Sequence, residues 1–150
     1  MKLLAFPLLS LALSACSLSM PAPDLPMPGD RERGPFIPRD VYPAPPNVER
    51  LITPGDCQGA QLAAVEAPFP DYPPRAWRNG RQGWVIVRFD VLASGEVDDA
   101  EIARSVPPDT FDREARRTVR RWRFRALESV ERLDNCVVMF EFRAGNVTVR

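Results

Sequence analysis

The sequence of 150 residues contains no histidine and only three cysteines. Histidine is the commonest general base in enzymes, so its absence excludes a Ser-His-Asp or a Cys-His mechanism. Structural zinc sites use four ligands, drawn mostly from cysteine and histidine, and this composition argues against one. We therefore expect a protein that is not an enzyme and that holds neither a metal nor a cofactor.

Lysine is also nearly missing, because Lys2 is its single occurrence and all other basic residues are arginines. Twenty basic residues balance twenty acidic ones, so there is no overall field to attract nucleic acid. Seven arginines nevertheless lie between Arg113 and Arg125. They can be read as a patch for acidic partners or as the solvated face of a helix, and the absence of net charge favours the solvated face.

A long apolar run is lacking as well. The N-terminal run from Leu3 to Leu13 follows Lys2, and it is shorter than the ~20 residues that span a bilayer. Residues 1–15 are therefore predicted to be a signal peptide. The ending Leu-Ser-Ala-Cys at residues 13–16 resembles the lipobox of bacterial lipoproteins, which implies a lipid on Cys16. The alternative is ordinary secretory cleavage near Ala15.

The residue after the lipobox bears on location. In lipoproteins of the common Gram-negative type, an aspartate at this position implies retention in the inner membrane. The residue here is Ser17. We therefore expect an exported protein, held by its lipid at the outer membrane and facing the periplasm.

If Cys16 carries lipid, Cys57 and Cys136 remain as a pair in an oxidising compartment. A disulfide between them is the hypothesis, and two buried free thiols are the alternative.

Prolines are concentrated near the N-terminus, where nine occur from Pro21 to Pro46. This stretch has no hydrophobic periodicity and favours extended polyproline II structure. We predict that residues 16–50 comprise the lipidated cysteine and a linker, either a semi-rigid spacer or a disordered tether without a length requirement. The folded domain is then expected to span residues 51–150.

Within residues 51–150, apolar and polar residues alternate from Trp84 to Leu92, which predicts a strand. A turn at residues 93–95 leads to a second strand, residues 96–105. In that strand Val97 and Ala100 have opposite parity, so either a β-bulge near Asp98 and Asp99 aligns them or pairing begins after Asp99. Neighbouring residues on a strand point to opposite faces, which argues against Asp98 and Asp99 as a carboxylate pair. Trp84 lies on the more polar face, where we consider a binding role.

A helix is predicted from Phe111 to about Arg121, because apolar residues recur at steps of three and four. Trp122 is expected to close this helix against the sheet. A short helix around residues 72–80 precedes the strands, and residues 136–143 form a third strand, with residues 147–149 as a short extension. The predicted fold class is α+β: a small three-stranded antiparallel sheet with two helices packed on one face.

The spacing of several motifs resembles the TonB C-terminal domain family over residues 70–150. The motifs are Tyr72-Pro73-x-x-Ala76, the alternating strand that begins at Gly83, Gly95-x-Val97-x-x-Ala100, Phe111-Asp112-x-x-Ala115 and Arg121-Trp122-Arg123-Phe124. The resemblance implies a periplasmic module that binds proteins and serves transmembrane transport. It suggests TonB-dependent outer-membrane receptors as partners, whose short peptide segment adds to the edge of the sheet. The edge strand expected to bind comprises Val137, Val138, Met139, Phe140, Glu141 and Phe142.

Two departures from the family pattern matter. The family's namesake proteins carry an N-terminal membrane-spanning helix, where this chain has a lipobox. They also commonly carry a glutamine shortly before Tyr-Pro, where this chain has Phe69-Pro70-Asp71. An alternative function is therefore a structural envelope lipoprotein that docks on a fixed partner or dimerises without binding receptor peptides. The partner and the oligomeric state do not follow from the sequence.

Overall fold

The computed structural model describes residues 33–150 of the chain. In chain order the elements are a short 3-10 helix (Val48–Leu51), β1 (Ala64–Glu66), α1 (Pro74–Arg78), β2 (Gly83–Leu92), β3 (Val97–Val106), α2 (Asp112–Val119), β4 (Arg123–Phe124), β5 (Arg132–Arg143) and β6 (Asn146–Val149). Four strands form an antiparallel sheet in the order β3-β2-β5-β6, and β1 pairs with β4 in a separate two-stranded sheet. Among these residues, no helix is both long and apolar enough to cross a membrane.

The predicted α+β class is confirmed, with both helices on one face of the main sheet. Its core is formed by the inward side chains of β2 and β5 and by residues of the helices. Phe111, Ala115, Val119 and Trp122, which define the predicted helical stripe, are all buried. The main sheet has four strands instead of three because the predicted extension, β6, pairs with β5.

The bulge predicted near Asp98 and Asp99 is present. The register between β2 and β3 shifts between two pairs, Arg88 with Glu101 and Asp90 with Asp98. Asp99, which lies within this shift, has a φ of 44°. The extra residue places Val97 and Ala100 against the same core, so of the two alternatives that the parity left open the β-bulge is the one found.

The opposite face of the sheet, on which Trp84 lies, was predicted to be the more polar one, but its centre is buried. Trp84, Ile86 and Met139 are buried there. Their cover includes Tyr42, Val48 and Leu51, from a segment far away in the sequence. Trp84 is therefore a core residue and does not offer an exposed binding surface.

The predicted domain boundary at residue 51 differs from the structure, in which residues 33–150 form one compact unit. The N–H of Arg39 donates to the carbonyl of Gly80 at 3.0 Å, and the ring centroids of Phe36 and Trp77 lie 5.3 Å apart. Residues 33–50 thus pack onto the domain, because Phe36, Tyr42 and Val48 among the prolines contact its apolar clusters. The predicted signal peptide, Cys16 and residues 17–32 of the predicted linker lie outside the described residues.

Candidate functional site

The site that sequence reasoning selected is the edge of the sheet at β5. The structure places β6 along part of this edge, pairing Phe140 with Val149 and Arg143 with Asn146. Met139 and Arg150 extend this pairing, since each N–H donates to the other's carbonyl at 2.9 Å. The predicted edge residues from Met139 to Phe142 therefore already have a strand neighbour, and their role in binding a partner stays a prediction.

A two-residue turn makes this pairing possible. Ala144 and Gly145 have φ values of 49° and 81°, the combination that a tight hairpin needs. A side chain at position 145 would lie within 3.0 Å of Phe36 and Trp77, so glycine also serves close packing here. The short hairpin was missed in the sequence because β6 has four residues, too few for a clear alternation.

At Val137, two residues before Met139, the edge of β5 is no longer paired with β6. In an antiparallel strand, the N–H and C=O groups of successive residues alternate between the two neighbours. Because Met139 bonds outward to Arg150, Val138 bonds inward to β2, and the backbone groups of Val137 point outward. The pairing with β6 ends at Met139, so among the described residues no strand pairs with the outward backbone donor and acceptor of Val137.

The loop held by the disulfide closes the other end of this opening. Cys57 and Cys136 are joined by a disulfide, with Cα atoms 4.6 Å apart. The N–H of Cys57 donates to the carbonyl of Asp134 at 2.7 Å, so the loop lies beside β5. The N–H of Asn135 donates to the carboxylate of Asp90 at 2.8 Å. Val137 therefore lies on a short uncovered stretch of β5, between the part of the edge beside this loop and the part paired with β6.

A groove of about 560 Å³ runs past Val137. Its walls are Pro45, Pro46, Asn47, Val48, Glu49 and Ile52 on one side, and Val137, Met139 and Arg150 on the other. The turn of 3-10 helix in this wall is fixed by Asn47, whose side chain accepts a hydrogen bond from the N–H of Glu49 at 2.9 Å. The groove walls are therefore part apolar and part polar, and they lie beside the outward backbone groups of Val137, to which an added strand would bond.

The strand that occupies this edge is weakly held by apolar contacts. Of the four residues of β6, none is buried, and only Val147 is half-buried. Isolated strand pairs with little burial are marginally stable in water. Displacement of β6 by another extended segment would therefore cost little buried apolar area.

Polar contacts hold β6 at one point. Glu141, on β5, is only 8% exposed. Its carboxylate accepts hydrogen bonds from Tyr42 at 2.9 Å and Thr148 at 3.4 Å, and Nε of Arg150 lies 3.2 Å away. Burial, together with the hydrogen bond to Glu141, raises the pKa of the Tyr42 hydroxyl above its ordinary value, so the hydroxyl remains a donor to a higher pH than an exposed tyrosine would.

The other edge of the main sheet, β3, carries features that oppose strand addition. Asp98, Asp99 and Glu101 are exposed along it, and its register shifts twice. Charges and bulges on an edge strand are the usual protection against unwanted pairing. Asp98 pairs with Arg132 at 3.1 Å, and within residues 33–150 no group of three or more acidic or cysteine side chains could hold a metal.

The seven arginines between Arg113 and Arg125 are all exposed, as a solvated face requires. Arg113 and Arg117 line a second groove, between α1 and α2, together with Asp109 and Glu114. Glu114 and Arg117 form an ion pair at 3.9 Å. The groove is lined by five arginines against the two acids Asp109 and Glu114, so its charge is predominantly positive.

Sequence reasoning missed the role of residues 42–52 in forming the site. The available signal was the presence of Tyr42, Val48 and Leu51 among the prolines, since a freely solvated linker has little use for large apolar side chains.

Comparisons with known proteins match this domain to one protein family. Residues 68–143, about half of the chain, match the family model described as the Gram-negative bacterial TonB protein C-terminal. Protein TonB of Yersinia enterocolitica is 30% identical over 99 residues, which cover 66% of this chain and 37% of that protein. Protein TonB of Pseudomonas aeruginosa is 42% identical over 70 residues, covering 47% of this chain and 20% of that protein.

The solution NMR structure of the Pseudomonas aeruginosa TonB CTD is similar at a TM-score of 0.48 and 32% identity, covering 55% of this chain and 85% of that one. The chain spans less than half the length of the two TonB proteins compared above. The family model, the sequence identities and the register of the motifs lead to one conclusion: this chain belongs to the TonB C-terminal domain family.

Proposed function

We propose that this chain is an exported lipoprotein whose TonB-type domain binds an extended segment of another envelope protein by adding it as a strand beside β5. The family relation makes TonB-dependent outer-membrane receptors the first candidate partners, and transmembrane transport the process served. The observation that carries the proposal is the edge at Val137, where outward backbone groups without a strand partner among the described residues lie beside a groove.

Strand β6 supports this proposal as an internal occupant of the same edge. It pairs with β5 over a few residues and buries little apolar surface. A longer segment could make the same backbone bonds and then continue to Val137, where β6 offers no partner. Binding by strand addition draws its affinity from such backbone bonds.

Lipid attachment at Cys16 is the second part of the proposal, supported by the lipobox-like residues 13–16. Metabolic labelling with a fatty acid in the native host tests it, with a Cys16→Ser variant as the control. Label on the wild type and none on the variant is the expected result. An unlabelled wild-type protein would remove the anchor from the proposal and leave the binding site unaffected.

The binding site is tested by titrating the isotope-labelled full-length protein with receptor-derived TonB-box peptides and following amide signals by NMR. Each peptide is also made with single N-methyl groups, moved along the backbone one residue at a time. Because alternate N–H groups of an added strand face β5, methylation at every second position should abolish binding, and methylation at the positions between should not. The protein itself is unchanged throughout, so loss of binding cannot reflect misfolding.

Saturable signal changes along Val137–Phe142, with the alternating methylation pattern, are the expected result. Signal changes that are insensitive to the position of the methyl group would contradict strand addition. No changes at millimolar peptide, together with concentration-dependent dimerisation or a stable complex from membranes, would favour the structural envelope lipoprotein instead.

A further inference from the structure

Glu141 is a charged residue in a largely buried position on the proposed binding edge. Its side chain shares the sheet face of Met139, beneath the segment that contains Tyr42. Its three polar partners come from two sources. Tyr42 belongs to the segment that packs on the domain, whereas Thr148 and Arg150 belong to β6 and to the residue that extends it.

Displacement of β6 would remove two of these three partners at once. The remaining partner, the Tyr42 hydroxyl, is neutral. Within residues 33–150, the ion pair of Glu141 is with Arg150 and not with Arg143, whose guanidinium lies over the ring of Tyr42, 5.0 Å from the centroid. A buried carboxylate that loses its cation is strongly disfavoured, so an incoming segment that brings no cation meets a penalty that β6 does not.

The pairing geometry defines where that cation must sit. Thr148 lies directly opposite Glu141, and Arg150 lies opposite Met139, one pair further along the same face. Side chains on one face recur every second residue, so Arg150 reaches Glu141 diagonally. The alternate residues of this strand, Val147 and Val149, occupy the other face, and Val147 packs against the main core.

Building on the proposed function, we propose that Glu141 selects extended segments that carry a basic residue at the position of Arg150. A hydroxyl residue two positions before it, at the place of Thr148, completes the preferred pattern. The partner chemistry is thus an alternating β-branched strand with an arginine or lysine on the face toward Tyr42. In this account β6 is a built-in competitor with the same pattern.

The test uses two synthetic peptides that copy residues 144–150 and continue with two alanines, one with the arginine of position 150 and one with glutamine there. Both are titrated by NMR into the full-length protein and into its Glu141→Gln variant. A second host, the chain shortened to end at Gly145, removes competition from β6. Circular dichroism checks that each host retains its fold.

We expect the arginine peptide to bind about tenfold more tightly than the glutamine peptide, because a charge-assisted hydrogen bond is lost on substitution. On the Glu141→Gln variant the difference should fall below about twofold, and added salt should reduce it on the wild type. If the shortened chain does not fold, the comparison on the full-length hosts still decides.

The outcomes separate this inference from the proposed function. Equal affinities on the wild type would overturn the selection by Glu141 while leaving strand addition intact. The same preference for the arginine peptide on the Glu141→Gln variant would also overturn it, since a group other than Glu141 would then recognise the arginine. Binding of neither peptide to any folded host would overturn strand addition at β5, and the inference with it.

Discussion

The hydroxyl of Tyr42 donates a hydrogen bond to Oε1 of Glu141 at 2.9 Å, across 99 positions of the sequence. This contact links a proline-rich segment to the edge of the sheet that we propose as the binding site. The same segment covers Trp84 and Ile86 and supplies a wall of the groove. Residues 33–51 are therefore part of the domain and of its site.

Removing this hydroxyl should weaken the domain. For Tyr42→Phe we expect a loss of about 1–2 kcal/mol in the free energy of unfolding, since a hydrogen bond to a largely buried carboxylate is lost. Urea unfolding measures this directly. The matched control is Val41→Ala, at the residue just before Tyr42. Val41 is 92% exposed, so this substitution should leave stability unchanged. Equal stability of Tyr42→Phe and the wild type would mean that residues 33–51 do not pack as described.

The two tyrosines of the chain provide a pH test. Burial raises the pKa of both Tyr42 and Tyr72 above the ordinary value of 10.0, and the nearby carboxylates of Glu141 and Asp40 add to this. Because the folded state keeps these two protons to a higher pH than the unfolded state does, their contribution to stability is fully present below about pH 10. It is lost as the pH rises further. Between about pH 10 and 11 the folded protein should show little phenolate absorbance in the ultraviolet, whereas in denaturant both tyrosines should titrate near their ordinary pKa of about 10.

A native protein that titrates one tyrosine near its ordinary pKa of about 10 would contradict this account. Repeating the titration on Tyr42→Phe identifies which residue is responsible, since Tyr72 alone remains.

The disulfide should contribute substantially to stability. It closes a loop with a sequence separation of 79 residues, for which the chain-entropy model gives roughly 4–5 kcal/mol as an upper estimate. Replacing Cys57 and Cys136 together by alanine should therefore lower the denaturant midpoint markedly. Mass spectrometry of a non-reduced digest checks the bond itself, and free thiols at both positions in that digest would refute the pairing.

The aromatic centre of the core is expected to be the most sensitive region to truncation. The ring of Phe111 stacks on that of Phe142 with centroids 4.3 Å apart, and Phe111 is fully buried. Phe111→Ala should cost roughly 3–5 kcal/mol of unfolding free energy. Phe69→Ala is the matched control, because Phe69 is 55% exposed and should lose little. Similar losses for both variants in urea unfolding would show that the core is misassigned.

Strong local periodicity made several elements predictable from the sequence. The alternation in β2, the stripe of α2 and the parity shift that suggested a bulge near Asp98 and Asp99 each depend on neighbouring residues, and each is found. The positions of Cys57 and Cys136 in the sequence did not indicate that the two residues lie close together in the fold. The count of cysteines in a chain expected to be exported was nevertheless sufficient to suggest their pairing.

What escaped prediction depends on contacts between distant residues. Trp84 looked half-exposed because its cover, near Tyr42 and Val48, lies far earlier in the chain. The proline-rich composition of that cover resembles a linker, and its few apolar side chains follow no period. Strand β6 was seen as a short extension, although its pairing changes which backbone groups of β5 are free.

Amide hydrogen exchange along β5 is the most direct test of the central claim, that β6 is a displaceable occupant of a binding edge. The amides of Met139 and Glu141 face β6, and those of Val138 and Phe140 face β2. We predict that the first two exchange at least about tenfold faster than the other two, through local opening of β6, and that a bound peptide slows them and also protects Val137. Exchange of all four amides at one common rate, set by global unfolding, would show that β6 is a fixed strand and would contradict the account.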